Sequence, residues 1–180
     1  DVGDLALARN AGLAAARGAL ATVLDADDYP SLHWPLAGVA RWRQHARAIV
    51  HPEYVVSFGA IRDLVRVPDQ ERDAFPSEGA FPINPWVSCA LAATRVFLEL
   101  PYAALDTARS GFGYEDWHWN CETIAAGYVH LTAPRTALFY RRKVQGSLAA
   151  SQAAQGAMLR PSVFFRRRPA PWTRTPAALA

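Results

Sequence analysis

Cysteine is scarce in this chain, because only Cys89 and Cys121 occur among its 180 residues. The two are far apart and each lies in an apolar segment, so we expect buried thiols and neither a disulfide nor a metal site. This usage fits a reducing compartment. Four of the five histidines show no metal-ligand spacing to one another or to a cysteine, namely His33, His45, His51 and His130.

Long hydrophobic runs are also lacking. No uninterrupted apolar stretch reaches the ~20 residues that span a bilayer. The first residues, DVGDLALARN, show no signal-peptide organisation. We therefore expect a cytoplasmic protein, or a soluble portion of something larger.

A basic stripe with interleaved aromatic residues, typical of nucleic-acid binding, is absent as well. The formal net charge is only +3, and the excess is concentrated late, at Arg141, Arg142, Lys143 and in the run 166–168. A local anion site, or a tail facing the inner surface of a membrane, fits this placement better than a nucleic-acid partner.

The composition is that of one globular domain, since 180 residues with 51% hydrophobic content can bury a single core. An Ala- and Leu-rich helix is predicted over Leu5–Arg17, with Asp4 as its N-cap and Gly18 at its end. A strand then leads to an acidic turn. The next helix is predicted over Ser31–Val50, closed by His51 and Pro52, because Leu32, Leu36, Val39, Trp42 and Ala46 recur at helical spacing.

Later elements follow the same α/β alternation. Short strands are expected at Tyr54–Ala60 and Leu64–Val67, followed by a long loop over Pro68–Pro85 and a short helix near Arg95–Leu100. A helix inside Gly111–Gly127 should bury Trp117, Cys121 and Ile124. Two strands, Tyr128–Ala133 and Thr136–Arg142, are expected to flank Pro134. From about Arg160 we expect little regular structure.

The segment Ala19–Asp28, ALATVLDADD, places three acids where a small-apolar strand should end. Period-two geometry would put Asp25 and Asp27 on one side of the backbone. Open α/β sheets bind ligands at this edge, and Mg²⁺ or Mn²⁺ takes carboxylate and phosphate oxygens, so a metal-diphosphate site is one interpretation. The alternative is an ordinary polar strand-to-helix turn.

A second acidic pair, Glu115 and Asp116, falls in the first turn of the predicted helix of GFGYEDWHWNCETIAAG. Acidic residues are favoured there by the helix dipole and the free N–H groups, which is a sufficient structural explanation. The surrounding aromatic residues instead suggest a wall for sugar stacking or acceptor binding. Those aromatic groups would raise the pKa of a nearby carboxyl, whereas the helix dipole would lower it.

The ordered set of ARNAG, DADD and YED resembles the family-two glycosyltransferases of the GT-A fold, from about Leu5 to Ser147. The resemblance implies an α/β, Rossmann-like sheet flanked by helices that is N-terminally incomplete, because such domains open with a strand and a helix that hold the nucleotide. Residues 1–147 are then a partial GT-A domain, and residues 148–180 are a tail that is helical at first and then flexible.

The resemblance also implies roles for single residues. Asp27 would ligate a divalent cation, Mn²⁺ or Mg²⁺, and Asp25 would support the ribose or the metal. Asp116 would be the general base, with Glu115 and Trp117 at the acceptor side.

Other roles are carried over beside an open alternative. Arg9 and Asn10 would lie on the nucleotide side, although Arg9 is equally explained by pairing with a nearby acid. One residue of the basic segment Arg141, Arg142 and Lys143 would neutralise the diphosphate, unless the segment is simply a solvated strand end. Trp86 would line the acceptor pocket, or else mark a plain loop-to-strand junction.

The predicted function is therefore metal-dependent, inverting transfer of a sugar from a nucleotide-diphosphate sugar to a hydroxyl of a glycan or lipid-linked acceptor. A non-catalytic, transferase-like binding module is the alternative. A nucleotidyltransferase would also use paired aspartates, but it does not predict the aromatic YEDWHW segment.

Overall fold

The computed structural model describes residues 4–80 and 82–166. The described strands are β1 (Leu20–Thr22), β2 (Tyr29–Pro30), β3 (Ala48–Gly59), β4 (Leu64–Arg66), β5 (Leu91–Ala93), β6 (Phe112–Gly113), β7 (Val129–Arg142) and β8 (Met158–Leu159). The helices are α1 (Leu5–Ala15), α2 (Trp34–Trp42), α3 (Thr94–Glu99), α4 (Thr107–Ser110), α5 (Glu115–Ala125), α6 (Leu148–Ala154) and α7 (Val163–Arg166), with a single 3-10 turn at Ser77–Ala80.

The main sheet is mixed. Its strands lie in the order β1, β5, β3, β7, β2, and β4 pairs with β3 outside this path. The long central strands β3 and β7 run parallel, whereas the other pairs in this sheet are antiparallel. A separate parallel pair joins β6 to β8. The predicted fold class, an α/β sheet flanked by helices, is confirmed.

Helices cover both faces of the sheet. Ile49 packs in one cluster with Val96 of α3 and Trp119 of α5, whereas the next residue, Val50, packs with Trp34 of α2. Successive residues of a strand point to opposite faces. The α2 helix therefore lies on the face opposite α3 and α5.

The α1 helix begins where its sequence predicts. The Asp4 side chain accepts a hydrogen bond from the Leu7 N–H at 3.1 Å, which satisfies one of the free donors of the first turn. The helix ends at Ala15 and not at Arg17, because Ala16 is already extended.

The predicted helix over Ser31–Val50 is wrong at its carboxyl end. Residues 48–50 begin β3, and His51 and Pro52 lie inside that strand, because β3 pairs with β7 from Ala48 onward. The residues at helical spacing do not share one environment. Leu32 is 99% exposed and Leu36 79% exposed, whereas Val39 and Trp42 pack against the cluster that contains Trp34.

The two strands predicted around Pro134 form one strand, β7. Arg135 adopts φ +61, and the pairing with β3 shifts register between Pro52 and Tyr54, so an irregularity is absorbed without ending the strand.

Regular structure also continues beyond Arg160, because α7 forms and Phe164 is only 5% exposed. The expectation of little regular structure is wrong up to residue 166, and the rest of that segment lies outside the described residues. The division of the chain at residue 147 stays a prediction.

Several other predictions are confirmed. Cys89 and Cys121 are free and buried. Cys121 and Ile124 belong to one hydrophobic cluster with Trp117 packed against it, as the helical pattern of α5 predicted. Within the described ranges, no helix has the length and apolar character needed to cross a membrane.

Candidate active site

One buried guanidinium joins the two acidic segments. Arg9 on α1 donates from Nη2 to Asp25 Oδ1 at 2.7 Å and from Nη1 to Glu115 Oε1 at 2.5 Å. Its side chain is only 6% exposed. The acidic turn, residues 25–28, and the acidic pair of α5 therefore lie side by side. Of the two interpretations of Arg9, the structure shows the pairing with nearby acids. A contact between Arg9 and a nucleotide stays a prediction.

Asn10 fixes the neighbouring backbone. Its Nδ2 donates to the Tyr102 carbonyl at 2.8 Å, and its Oδ1 accepts from the Tyr102 N–H at 3.0 Å. The ring of Tyr102 in turn lies 5.4 Å from the guanidinium carbon of Arg9. Because both polar groups of the amide are engaged, Asn10 positions the packing around Arg9, and its predicted nucleotide contact remains untested.

The carboxylates of the acidic turn face different partners. Because β1 already ends at Thr22, the period-two argument does not apply to Asp25 and Asp27. Asp25 uses its second oxygen to accept from Ser88 Oγ at 3.1 Å, whereas Asp27 Oδ2 lies 2.6 Å from Lys143 Nζ. The two carboxylates thus have separate partners in this structure, and their joint binding of one cation stays a prediction.

Asp28 is the buried member of the acidic turn, 5% exposed. Its Oδ1 accepts from the Arg141 N–H at 2.9 Å, whereas its Oδ2 has no hydrogen-bond partner among the described residues. Burial raises the pKa of Asp28 to about 6, and the negative charges of Asp25 and Asp27 act in the same direction.

The acidic pair opens α5 as predicted. Tyr114 adopts φ +60 and turns the chain into the helix. Glu115 is buried against Arg9, whereas Asp116 is half-buried and accepts from the Trp117 N–H at 2.7 Å. Burial raises the pKa of both carboxyl groups; repulsion from Asp116 adds to the rise for Glu115, and Arg9 opposes it.

The predicted acceptor residues are placed differently. Trp117 is half-buried, its Nε1 donates to the Ala80 carbonyl at 2.7 Å, and Tyr114 meets it edge-on. Trp86 is a core residue, 1% exposed, whose Nε1 donates to the Pro68 carbonyl. Trp86 thus has no exposed face for an acceptor, and the burial of Glu115 likewise argues against its predicted acceptor contact.

The basic segment follows the end of β7. Arg141 is anchored through its backbone to Asp28, and the guanidinium of Arg142 lies over the Tyr140 ring at 5.7 Å. Both side chains are exposed at the edge of the acidic turn. Their predicted contact with a diphosphate stays a prediction, and Lys143 is the residue of this segment that touches an acid of the turn.

A family model described as Glycosyl transferase family 2 matches residues 3–98, just over half of the chain. The chain belongs to glycosyltransferase family 2. A comparison with curated proteins finds no match. The family match includes Arg9 and the acidic turn, and it ends before Glu115 and Asp116, so the pairing of Glu115 with Arg9 is information that the structure adds.

Glycosyltransferases of family 2 often use a divalent cation. Residues 4–80 and 82–166 contain no group of three His, Cys, Asp or Glu side chains that could hold a metal. Mg²⁺, however, is commonly bound by one or two carboxylates together with substrate phosphates. Asp27 fits this smaller role, because it is 30% exposed and already has an ammonium group beside it.

Three site residues carried too little signal for assignment from sequence. Asp28 was visible in DADD but could not be distinguished from its neighbours. Lys143 could not be separated from the two arginines before it, because their side-chain directions depend on the end of β7. Ser88 reaches Asp25 across 63 positions of the chain, and no local pattern indicates such a contact.

Proposed function

We propose that this family 2 glycosyltransferase transfers a sugar from a nucleotide-diphosphate sugar to a hydroxyl of a glycan or lipid-linked acceptor, with inversion and with a divalent cation. The observation that carries the proposal is the shared contact of Arg9 with Asp25 and Glu115. It brings the acids suited to the donor's cation beside the acids suited to the acceptor's proton. Cytoplasmic location and peripheral membrane association stay predictions.

Asp116 is the general base of the proposed reaction. Glu115 is buried and engaged with Arg9, whereas Asp116 is half-buried and makes no described ion pair, so it keeps oxygen available for an acceptor hydroxyl. Burial raises the pKa of Asp116, which makes its carboxylate a stronger proton acceptor. Asp116 takes the proton as the acceptor oxygen attacks the anomeric carbon and the bond to the diphosphate breaks.

Asp27, with Asp25 behind it, is the proposed holder of the cation. A divalent cation at this point would supply charge neutralisation for the leaving diphosphate. Arg141 and Arg142 lie on the exposed side of the same turn and are suited to contact phosphate oxygens. Arg9 keeps Asp25 and Glu115 in place, and Trp117 offers its exposed edge to the acceptor.

Asp116→Asn tests the proposal in the intact protein. We expect turnover with the productive donor, found in a panel of nucleotide-diphosphate sugars with Mn²⁺, to fall by about a hundred- to ten-thousand-fold. Donor binding measured by calorimetry should stay within a factor of about two, because an amide has nearly the shape of a carboxylic acid but accepts no proton.

Glu122→Gln is the matched control, since Glu122 lies on the same helix, where it accepts from the Val163 N–H, and has no contact with Arg9. It should leave turnover unchanged. Parental turnover in Asp116→Asn would exclude Asp116 as the base.

The second candidate is a transferase-like binding module without turnover. Its support is that two acids of the turn already have cationic partners within the protein, with Asp25 paired to Arg9 and Asp27 paired to Lys143. Calorimetry with nucleotide-diphosphate sugars separates the two functions. Nucleotide-sugar binding that requires Mn²⁺ supports the transferase. Absence of any nucleotide-sugar binding by the full-length protein supports the module.

A further inference from the structure

The cation that touches Asp27 in this structure belongs to the protein itself. Lys143 Nζ lies 2.6 Å from Asp27 Oδ2, and the two side chains are 41% and 30% exposed. The ion pair lowers the pKa of Asp27, chiefly through the hydrogen bond from Lys143. Because water reaches both groups, this contact can be exchanged without opening the core.

Asp27 differs in this respect from its neighbours in the acidic turn. Asp25 is paired with Arg9, a side chain that is 6% exposed and also holds Glu115, so this cation cannot leave without disrupting the core of the site. Asp28 has no described ion pair and is buried. Of the acids in the turn, Asp27 therefore has the cationic partner that can be replaced.

The backbone on either side of Lys143 explains why the lysine can move alone. Up to Arg142 the chain is fixed, because the Arg141 N–H donates to Asp28 and the Arg142 carbonyl accepts from the Ala60 N–H at 2.9 Å. Beyond Lys143 the chain is open, since Val144 is 86% exposed and a Cβ on Gly146 would meet nothing within 4 Å. Lys143 thus lies at the boundary between a fixed strand and a loose connection.

We propose that Lys143 is an internal counter-ion that occupies the cation position on Asp27 and that a divalent cation must displace. This inference rests on the proposed function, because it assumes that Asp27 is the cation ligand. The displaced ammonium remains near the acidic turn, because Lys143 directly follows the last residue of β7. The protein thereby keeps the charge of Asp27 compensated until the cation arrives, and cation binding is coupled to release of the segment after β7.

Binding of Mn²⁺ alone, followed by electron paramagnetic resonance of the free ion, tests this proposal without an activity assay. Lys143→Met keeps the length of the stem and removes the ammonium, so we expect Mn²⁺ to bind roughly two- to fivefold more tightly than to the parental protein. Arg142→Met removes the same charge one residue earlier, where no carboxylate is contacted. It should leave the affinity for Mn²⁺ close to the parental value. Circular dichroism checks that both variants are folded.

The outcomes separate this proposal from the function on which it rests. Tighter binding in Lys143→Met, lost again in the double variant with Asp27→Asn, supports displacement at Asp27. Equal affinity in Lys143→Met and the parental protein, with binding abolished by Asp27→Asn, overturns the counter-ion proposal and leaves the cation site standing. Equal gains in Lys143→Met and Arg142→Met also overturn it, because they would reflect net charge. Absence of Mn²⁺ binding in every variant, both alone and with a nucleoside diphosphate present to supply phosphate oxygens, overturns both proposals.

Discussion

Asp28 and Asp69 are two buried aspartates in opposite situations. Asp69, in the loop after β4, is 0% exposed; its Oδ1 accepts from the N–H groups of Glu71 and Arg72, at 2.9 and 2.8 Å. Its Oδ2 accepts from the N–H and the Oγ1 of Thr132 on β7. Asp28 is 5% exposed and has one described hydrogen bond.

The pKa directions follow from these contacts. Burial raises the pKa of a carboxyl in both places, but the backbone hydrogen bonds from Arg72 and Thr132, together with the charge of Arg41, lower the pKa of Asp69 below its ordinary value. At Asp28 burial prevails and the pKa rises to about 6. A buried acid whose oxygens all accept hydrogen bonds stabilises the fold. A buried acid with an oxygen that accepts none, beside other acids, is a candidate for binding a ligand.

The largest expected effect is loss of the Asp69 carboxylate. Asp69→Ala leaves the buried N–H groups of Glu71, Arg72 and Thr132 without their acceptor. The free energy of unfolding, measured in urea, should fall by about 3 kcal/mol or more. Because the loop after β4 is fastened to β7 through this residue, the loss should extend to the pairing of β7 and not stay local.

Glu71→Ala is the control for Asp69→Ala. Glu71 contacts the same Arg41 at 2.8 Å, but its side chain is 42% exposed. An exposed ion pair contributes about 1 kcal/mol at most, so this variant should remain near the parental stability. Equal losses in the two variants would show that burial and backbone contacts do not distinguish Asp69.

A second effect of similar size concerns two buried histidines. His51 Nε2 and His130 Nδ1 lie 2.9 Å apart in the core, and both residues are 0% exposed. Burial lowers the pKa of His51 from 6.5 to about 4 and that of His130 well below its ordinary value, with the neighbouring His51 contributing. The unfolded chain thus takes up protons at a pH where the folded protein does not.

The contribution of His51 to the free energy of unfolding is therefore complete above pH 6.5 and is lost as the pH falls toward 4. The expected loss is about 3 kcal/mol, seen in urea unfolding across this range. His51→Gln should flatten this part of the profile, whereas His33→Gln, which alters an exposed ring, should leave the slope unchanged. A parental slope in His51→Gln would show that His51 is not the titrating group.

Local sequence signals predicted the parts of the fold that depend on neighbours in the chain. Asp4 caps α1 as its type and position indicate, and Glu115 and Asp116 open α5 beside the acidic turn. In contrast, the sequence predicts a helix end for the first residues of β3, whereas Ala48–Val50 form a strand through pairing with residues about eighty positions later. Propensity yields to tertiary pairing in such a segment.

The candidate site was likewise predictable only where it depends on neighbours in the chain. The acids of the turn and of α5 were visible as motifs, but their connection through one arginine depends on the packing of α1 against α3 and α5. Asp69 lies in a proline-rich loop and had no pattern to distinguish it from a surface acid. Its burial follows from contact with Thr132, 63 positions later.

The smallest effect is expected at Asp28 and has the opposite sign. Its pKa rises from 3.8 to about 6 on folding, so its contribution to stability falls as the pH increases across that interval. Asp28→Asn removes the charge but adds an unpaired N–H group, so above pH 6 we expect a gain of about 1 kcal/mol in urea unfolding. The gain should vanish near pH 4. Asp63→Asn, at an exposed position, should show neither change, and a loss of stability in Asp28→Asn at high pH would refute a destabilising carboxylate at this position.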